Sequence, residues 1–289
     1  MEYLAHIFII IIIYAILAAS LDLIAGQTGL LSLAHAAFYG VGAYSSGLLS
    51  QLGFSFLWGV ALGMVVAIGI SFIVSMPALR LSSNYFVIVT FGFQIIVLNI
   101  FNNWTSVTSG PLGITNVSRP RLFGWVIRSQ PEFAALATVL ALFTFLVVIR
   151  ITGSPFGRVL RAIREDQYLA KSLGKNTLKF KVVAFATSAA LAALAGSLYA
   201  HYITYIDPTS FTVMESILVI SMVIIGGAGS RWGPLVGATV LVILPEMLRF
   251  VGMPSSVAAN SRQIVYGSLL VVMMMFRPRG LVGKYGFGR

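Results

Sequence analysis

The feature that most constrains this chain is a series of long apolar runs, opened by "HIFIIIIIYAILAASLDLIAG" at 6–26. A helix needs roughly 20 apolar residues to cross about 30 Å of hydrocarbon. Runs near that length recur at 5–25, 29–51, 55–77, 84–101, 132–150, 179–201, 212–227, 233–251 and 262–276. They lack the dyad alternation of a membrane barrel. The pattern therefore predicts an all-α class, a polytopic transmembrane helical bundle of about nine spans. With 58% hydrophobic and 9% charged residues, the chain has too few polar side chains to coat a soluble globule. We read residues 1–289 as a single transmembrane domain. The first run carries Glu2 and no basic residue ahead of it, and it exceeds the apolar core of a secretory signal. It reads as a first helix that stays.

Orientation follows from the basic residues. Setting Arg150 through Lys181 inside puts 14 of the 19 Lys and Arg residues on the cytoplasmic side. Arg119, Arg121, Arg128, Arg249 and Arg262 are left outside. The N-terminus is then outside, the C-terminus cytoplasmic, and the protein sits in the cell (inner) membrane. The net charge of +11 suits a face near anionic lipid, so the lipid bilayer is the partner it calls for and no nucleic acid is needed.

The second run, "GQTGLLSLAHAAFYGVGAYSSG" at 26–47, is made of small residues. On a continuous helix Ser32, Ala36, Gly40, Ala43 and Gly47 share one face, as do Ala189, Ala193, Gly196 and Ala200 further on. Small residues let membrane helices approach closely. The glycines flanking Gln27 and Thr28 predict a broken or re-entrant second span, because irregular backbone at membrane depth survives only where protein buries it or it lines a wet cavity. A second interruption, "GGAGSRWGPLVG" at 226–237, hints at an internal repeat.

Polar residues in and near these spans are the candidates for a substrate pathway: Gln27, Thr28, Ser32 and His35, then Asn84, Tyr85, Thr90 and Gln94. Hydrogen bonding between helices accounts for each equally well. For His35 such a bond is the simpler reading, against a substrate or proton role.

The stretch "GSPFGRVLRAIREDQYLAKSLGKN" at 153–176 departs from the apolar pattern. Ser154 and Pro155 read as an N-cap and first-turn proline, and Gly174 as a stop. Leu160, Ile163, Ala170 and Leu173 fall roughly on one side, and Arg161 and Glu165 are spaced i, i+4. Such a helix lies on the membrane surface, connects two spans through solvent, or docks into a partner. Composition alone favours the surface.

The order of "LDLIAGQTGLLSLAHAAFYGVGAY" at 21–44, "SGPLGI" at 109–114, the 153–176 stretch and "IIGGAGSRWGPLVGA" at 224–238 resembles the membrane permease subunits of branched-chain amino acid ABC transporters, within them the LivM-like branch. The resemblance implies an importer subunit that moves branched-chain or related amino acids. Urea and short amides are the alternative, since their permeases share the motifs. It further implies three kinds of partner: a second homologous permease subunit, two cytoplasmic ABC ATPase subunits and an extracytoplasmic solute-binding protein. The loop at about 153–178 then holds the coupling helix, with Gly157, Arg161, Arg164, Glu165, Asp166, Ala170, Leu173 and Gly174 facing or supporting the ATPase.

The residues themselves agree with that division of labour. The sequence has no G-x-x-x-x-G-K-[ST] phosphate loop, no H-E-x-x-H, no G-x-S-x-G and no cysteine. We expect no catalysis, no metal and no cofactor. An ion-coupled secondary transporter is the rival reading, with Asp22 or Glu246 carrying the ion. Asp22 and Glu215 lie near span ends, where water relieves their cost, so Glu246 beside Pro245 is the stronger candidate.

Overall fold

The computed structural model describes residues 2–79, 83–122, 125–249, 266–273, 275–277 and 279–283. Eleven α-helices are assigned over Glu2–Arg249: α1 (Glu2–Thr28), α2 (His35–Gln51), α3 (Phe56–Ala78), α4 (Ser83–Asn103), α5 (Thr105–Thr108), α6 (Gln130–Gly153), α7 (Pro155–Glu165), α8 (Gln167–Ser172), α9 (Thr177–Ile203), α10 (Val213–Gly226) and α11 (Gly233–Arg249). Among the described residues, five helices are long and apolar enough to cross a membrane: α1, α3, α4, α6 and α9. The helices α10 and α11 are shorter apolar elements. The span expected at 262–276 lies partly outside the described residues, with 266–273 helical.

The core is built on α1 and α9. From Ala15 to Thr28 every residue of α1 is buried, so no lipid-facing stripe is left on that half. A helix apolar all round belongs at the centre of a bundle. Around it stand α6, α9 and α11, while α2 packs on α9 and α3. By contrast α3, α4 and α6 expose much of their apolar surface, including Trp58, Ile73, Ile96 and Leu146, the pattern of helices that meet lipid or another subunit.

The second span differs from expectation. Residues 29–34 are not helical, and α2 is only 17 residues, about 26 Å of helix. Ser32 therefore drops out of the predicted small-residue face. The rest of that face also splits. A Cβ on Gly42 would run into the backbone of Ala193, and one on Gly196 into the carbonyl of Tyr39, so α2 and α9 touch backbone to backbone through Gly42 and Gly196. Gly40 instead lies beneath the rings of Phe101 and Phe211, and Gly47 beneath Ile206. Small residues are needed on more than one side of α2 because helices and aromatic rings close on it from several directions.

At the end of the bundle away from α7, the loop after α4 carries a short hairpin, β1 (Arg121–Leu122) paired antiparallel with β2 (Trp125–Val126). Ile114 forms a bridge to Ile206, which holds this loop against the end of α9. There His201 bonds the Ser118 carbonyl through Nδ1 at 2.5 Å and Ser46 Oγ through Nε2 at 2.8 Å. Both ring nitrogens are thereby satisfied, a structural role.

Candidate functional site

The break between α1 and α2 is the first polar assembly. Helix α1 ends at Thr28, and Gly29 follows with φ +72°, a conformation open to glycine without a Cβ penalty. Ala34, the cap residue of α2, makes no side-chain cap. Other helices supply the missing acceptors. The Ala36 N–H donates to Ser216 Oγ at 2.9 Å and the Ala37 N–H to Gln94 Oε1 at 2.6 Å. Thr90 Oγ1 accepts from the Leu33 N–H at 3.2 Å, while Gln94 Nε2 donates to the Phe211 carbonyl at 2.7 Å. First-turn amides have no partner within their own helix, and in a buried setting an unmet donor costs about 1–3 kcal/mol. Thr90 and Gln94 thus act as caps delivered from α4.

Of the sequence candidates, Ser32, His35, Thr90 and Gln94 are brought together here, all buried. Ser32 Oγ accepts from the Ala34 N–H at 3.3 Å. His35 Nε2 meets Ser20 Oγ at 2.7 Å, the interhelical bond expected of it, while its Nδ1 is buried with no partner. Thr28 turns back on its own helix, donating to the Ile24 carbonyl at 2.7 Å. Tyr85 is 60% exposed and does not join them. The side chain of Asn84 lies outside the described residues. Ser20, Ser188 and Ser216 were missed: Ser188 Oγ donates to the Ser20 carbonyl at 2.5 Å. Serine within an apolar run gives little warning of this, because its hydroxyl is usually satisfied by its own helix.

The second assembly joins both glycine interruptions to the amphipathic segment. Asp22 Oδ1 accepts the Gly229 N–H at 2.7 Å, so a carboxylate of α1 holds the loop between α10 and α11. Arg164 of α7 donates to the Gly26 carbonyl. Arg161 donates to the Thr152 carbonyl at 2.8 Å and to Gln27 Oε1 at 3.4 Å. A Cβ on Gly26 would collide with Asp22 and the Gly229 amide. Asp22 is accordingly buried, not relieved by water as its position near a span end implied. Its relief comes from the loop amide, with Arg164 as a Coulombic neighbour.

The other two carboxylates also have partners: Tyr14 donates to Glu215 and Tyr3 to Glu246. Each joins α1 to a late helix, so Asp22, Glu215 and Glu246 all tie α1 to the last third of the chain.

The amphipathic stretch is two helices, not one running from Pro155 to Leu173. Ser154 caps α7 by accepting the Gly157 N–H at 3.4 Å, with Pro155 in the first turn, as the sequence predicts. The chain then breaks at Asp166, whose Oδ1 accepts the N–H groups of Tyr168 at 2.8 Å and Leu169 at 3.0 Å. That is an N-cap, and it starts α8. Gly174, at φ +76°, ends α8 in a Schellman turn, with Gly174 N–H to Lys171 O and Lys175 N–H to Ala170 O.

This break re-aims the surface. Gly157, Leu160, Ile163 and Ala170 are buried, but Leu173 is 71% exposed, so the expected apolar side does not hold together. Tyr168 and Leu169, which the sequence reading passed over, are 86% and 58% exposed. Glu165, Asp166 and Gly174 are exposed beside them. The signal was available: the aspartate at 166 interrupts the apolar period, and the residues after it restart on a new face.

Comparison with known proteins bears on what this arrangement serves. The family model for the branched-chain amino acid transport system permease component matches residues 3–275. The high-affinity branched-chain amino acid transport system permease protein LivM of Salmonella typhimurium is 33% identical over 93% of this chain and 68% of its own length. Its counterpart in Escherichia coli K12 has the same values. The LivH permease of Salmonella typhimurium is 26% identical over 94% of this chain and 91% of its own. No solved structure gives a significant match.

Proposed function

Because the chain belongs to the family of branched-chain amino acid transport system permease components, we propose that it is the membrane-spanning subunit of an ATP-driven importer for branched-chain amino acids. The single observation that carries the mechanism is the reach of Arg161 and Arg164 from α7 to Gln27 and Gly26 at the end of α1. A movement of α7 is thereby delivered to both glycine interruptions at once, since Asp22 holds Gly229 a few residues away on the same helix.

In this reading the chain forms one transmembrane domain over 1–289, with nine spans in two related halves, N-terminus outside and C-terminus cytoplasmic. It pairs with a homologous permease, two ATPases and a solute-binding protein, and ATP hydrolysis belongs to the ATPases. Leu173, Glu165, Asp166 and Gly174, with Tyr168 and Leu169, form the docking face. Gly157 and Ala170 seat the two helices on the bundle, and Arg161 and Arg164 transmit. The substrate pathway runs beside the break between α1 and α2, where His35 keeps one ring nitrogen open. Thr90 and Gln94 hold that break in shape. An irregular segment buried by neighbouring helices is where transporters gather their substrate groups.

The test is leucine uptake into proteoliposomes holding this chain, its partner permease and the ATPases, with binding protein outside and ATP inside. ATP-dependent uptake is expected. Uptake by this chain alone, driven by an ion gradient and indifferent to ATP, overturns the reading in favour of ion coupling at Glu246 or Asp22. Parallel samples with urea or acetamide in place of leucine separate the substrate classes.

A further inference from the structure

At the end of the bundle opposite α7, the start of α1, the start of α6 and the end of α9 line a partly open cavity of about 260 Å³. A single water needs only about 10–15 Å³ of such space, so there is room for a small organic molecule. Its polar wall carries Arg119 and Gln130, and its apolar wall carries Ile127 and Phe133. His6 and Tyr202 close one side, stacked at 5.5 Å between ring centroids and bonded His6 Nδ1 to Tyr202 Oη at 2.6 Å. None of these residues has a part in the importer mechanism above.

Two facts describe what the cavity would accept. Arg119 is held in place by donating to the Arg128 carbonyl, which uses one of the five N–H groups of its guanidinium. The remaining fork matches a carboxylate or phosphate. Gln130 Oε1, in contrast, is a buried acceptor with no partner, a group that costs stability unless a donor meets it. No carboxylate is among the described residues that line the cavity. The nearby Glu132 is engaged in the capping box of α6, accepting the N–H groups of Arg128 and Ser129. The site thus offers a cation for an oxyanion and, two residues after the carbonyl that anchors it, an acceptor for a cationic N–H donor.

We propose that this cavity binds a small zwitterion, its carboxylate or phosphate on Arg119 and its ammonium on Gln130, with an apolar portion against Ile127 and Phe133. Two sources carry that chemistry: a free apolar amino acid, and the ethanolamine headgroup of a phospholipid at the membrane rim. Both bring charge-assisted hydrogen bonds, the strong kind.

The test uses the full chain purified in mild detergent and reads binding, so it stands apart from ATP-driven uptake. Tritiated leucine is measured by equilibrium dialysis, and retention of phosphatidylethanolamine against phosphatidylglycerol is measured by native mass spectrometry. Either leucine binds, or phosphatidylethanolamine is retained over phosphatidylglycerol by about tenfold, the worth of one charge-assisted bond. The first result assigns the amino acid and the second the lipid headgroup. Arg119→Gln should weaken binding of leucine or of both lipids alike, and Gln130→Leu should abolish the preference. Gln130→Glu, which keeps the side chain's shape, should tighten it, so a loss of folding in the first two does not shield the proposal. No leucine binding together with equal retention of the two lipids overturns it, as does binding that none of the three substitutions moves.

Discussion

Helices α7 and α8 are adjacent in sequence and each mixes basic with apolar residues, yet they meet the bundle in opposite ways. In α7, Leu160 and Ile163 are buried, and Arg161 and Arg164 bond to α1 and to the Thr152 carbonyl at the end of α6. The neighbouring α8 buries only Ala170 and turns Tyr168 and Leu169 outward, with Leu173 at its cap. One side chain, Asp166, separates them. The lesson is that an anchored helix and an outward-facing one can be made from a single amphipathic pattern by restarting the helix once: the restart turns the second apolar set away from the bundle.

The largest expected effect comes from spoiling the outer face. Leu169→Asp together with Leu173→Asp should leave the thermal stability of the permease within about 0.5 kcal/mol, as surface changes do. It should cost at least about 2 kcal/mol, roughly 30-fold, in affinity for the ATPase subunits, the level of an interface hot spot. Titration of ATPase onto the permease in nanodiscs reads this, and undiminished affinity would remove α8 from the interface.

Spoiling the anchor should do the reverse. Arg164→Ala strips a hydrogen bond from the Gly26 carbonyl and the cationic neighbour from buried Asp22, at a cost of about 1–3 kcal/mol. A lowered melting temperature with normal ATPase binding and poorly coupled uptake is the expected result. If ATPase affinity falls and the melting temperature stays, Arg164 belongs with the docking face instead.

Asp166→Ala removes the cap that divides the two helices and should cost about 1 kcal/mol. Hydrogen exchange should rise at Tyr168 and Leu169, whose amides it holds, and remain unchanged in α7. The smallest effect is expected from Ser154→Ala, about 0.5–1 kcal/mol, because its bond to the Gly157 amide is long at 3.4 Å and Pro155 already favours the first turn. Exchange confined to the start of α7 would distinguish it from the change at Asp166.

Much of this was legible before any coordinates. The helices lie close to the apolar runs because a bilayer imposes a length on whatever crosses it. Ser154, Pro155 and Gly174 act as written, since caps and turns are decided by a few neighbouring residues. The stop after Gln27 and Thr28 was visible in its glycines, and Gly29 has the positive φ that such a stop uses. The restart was much less so: Ala34 makes no side-chain cap, and the side-chain acceptors of the Ala36 and Ala37 amides, Ser216 and Gln94, lie 180 and 57 residues away.

The sequence by itself determined the membrane class, the approximate ends of the spans, the amphipathic segment and the family, all of which rest on local composition or on motifs read along the chain. Only the tertiary structure decided what the polar residues are for. It turned Thr90 and Gln94 into caps and Asp22 into the holder of Gly229, it turned Arg161 and Arg164 inward, and it put Arg119 and Gln130 around one cavity. The physical reason is that a polar group surrounded by hydrocarbon must find a partner, and for these residues that partner lies on a distant part of the chain. Sequence spacing carries the period of one helix and says nothing of which helix stands beside it.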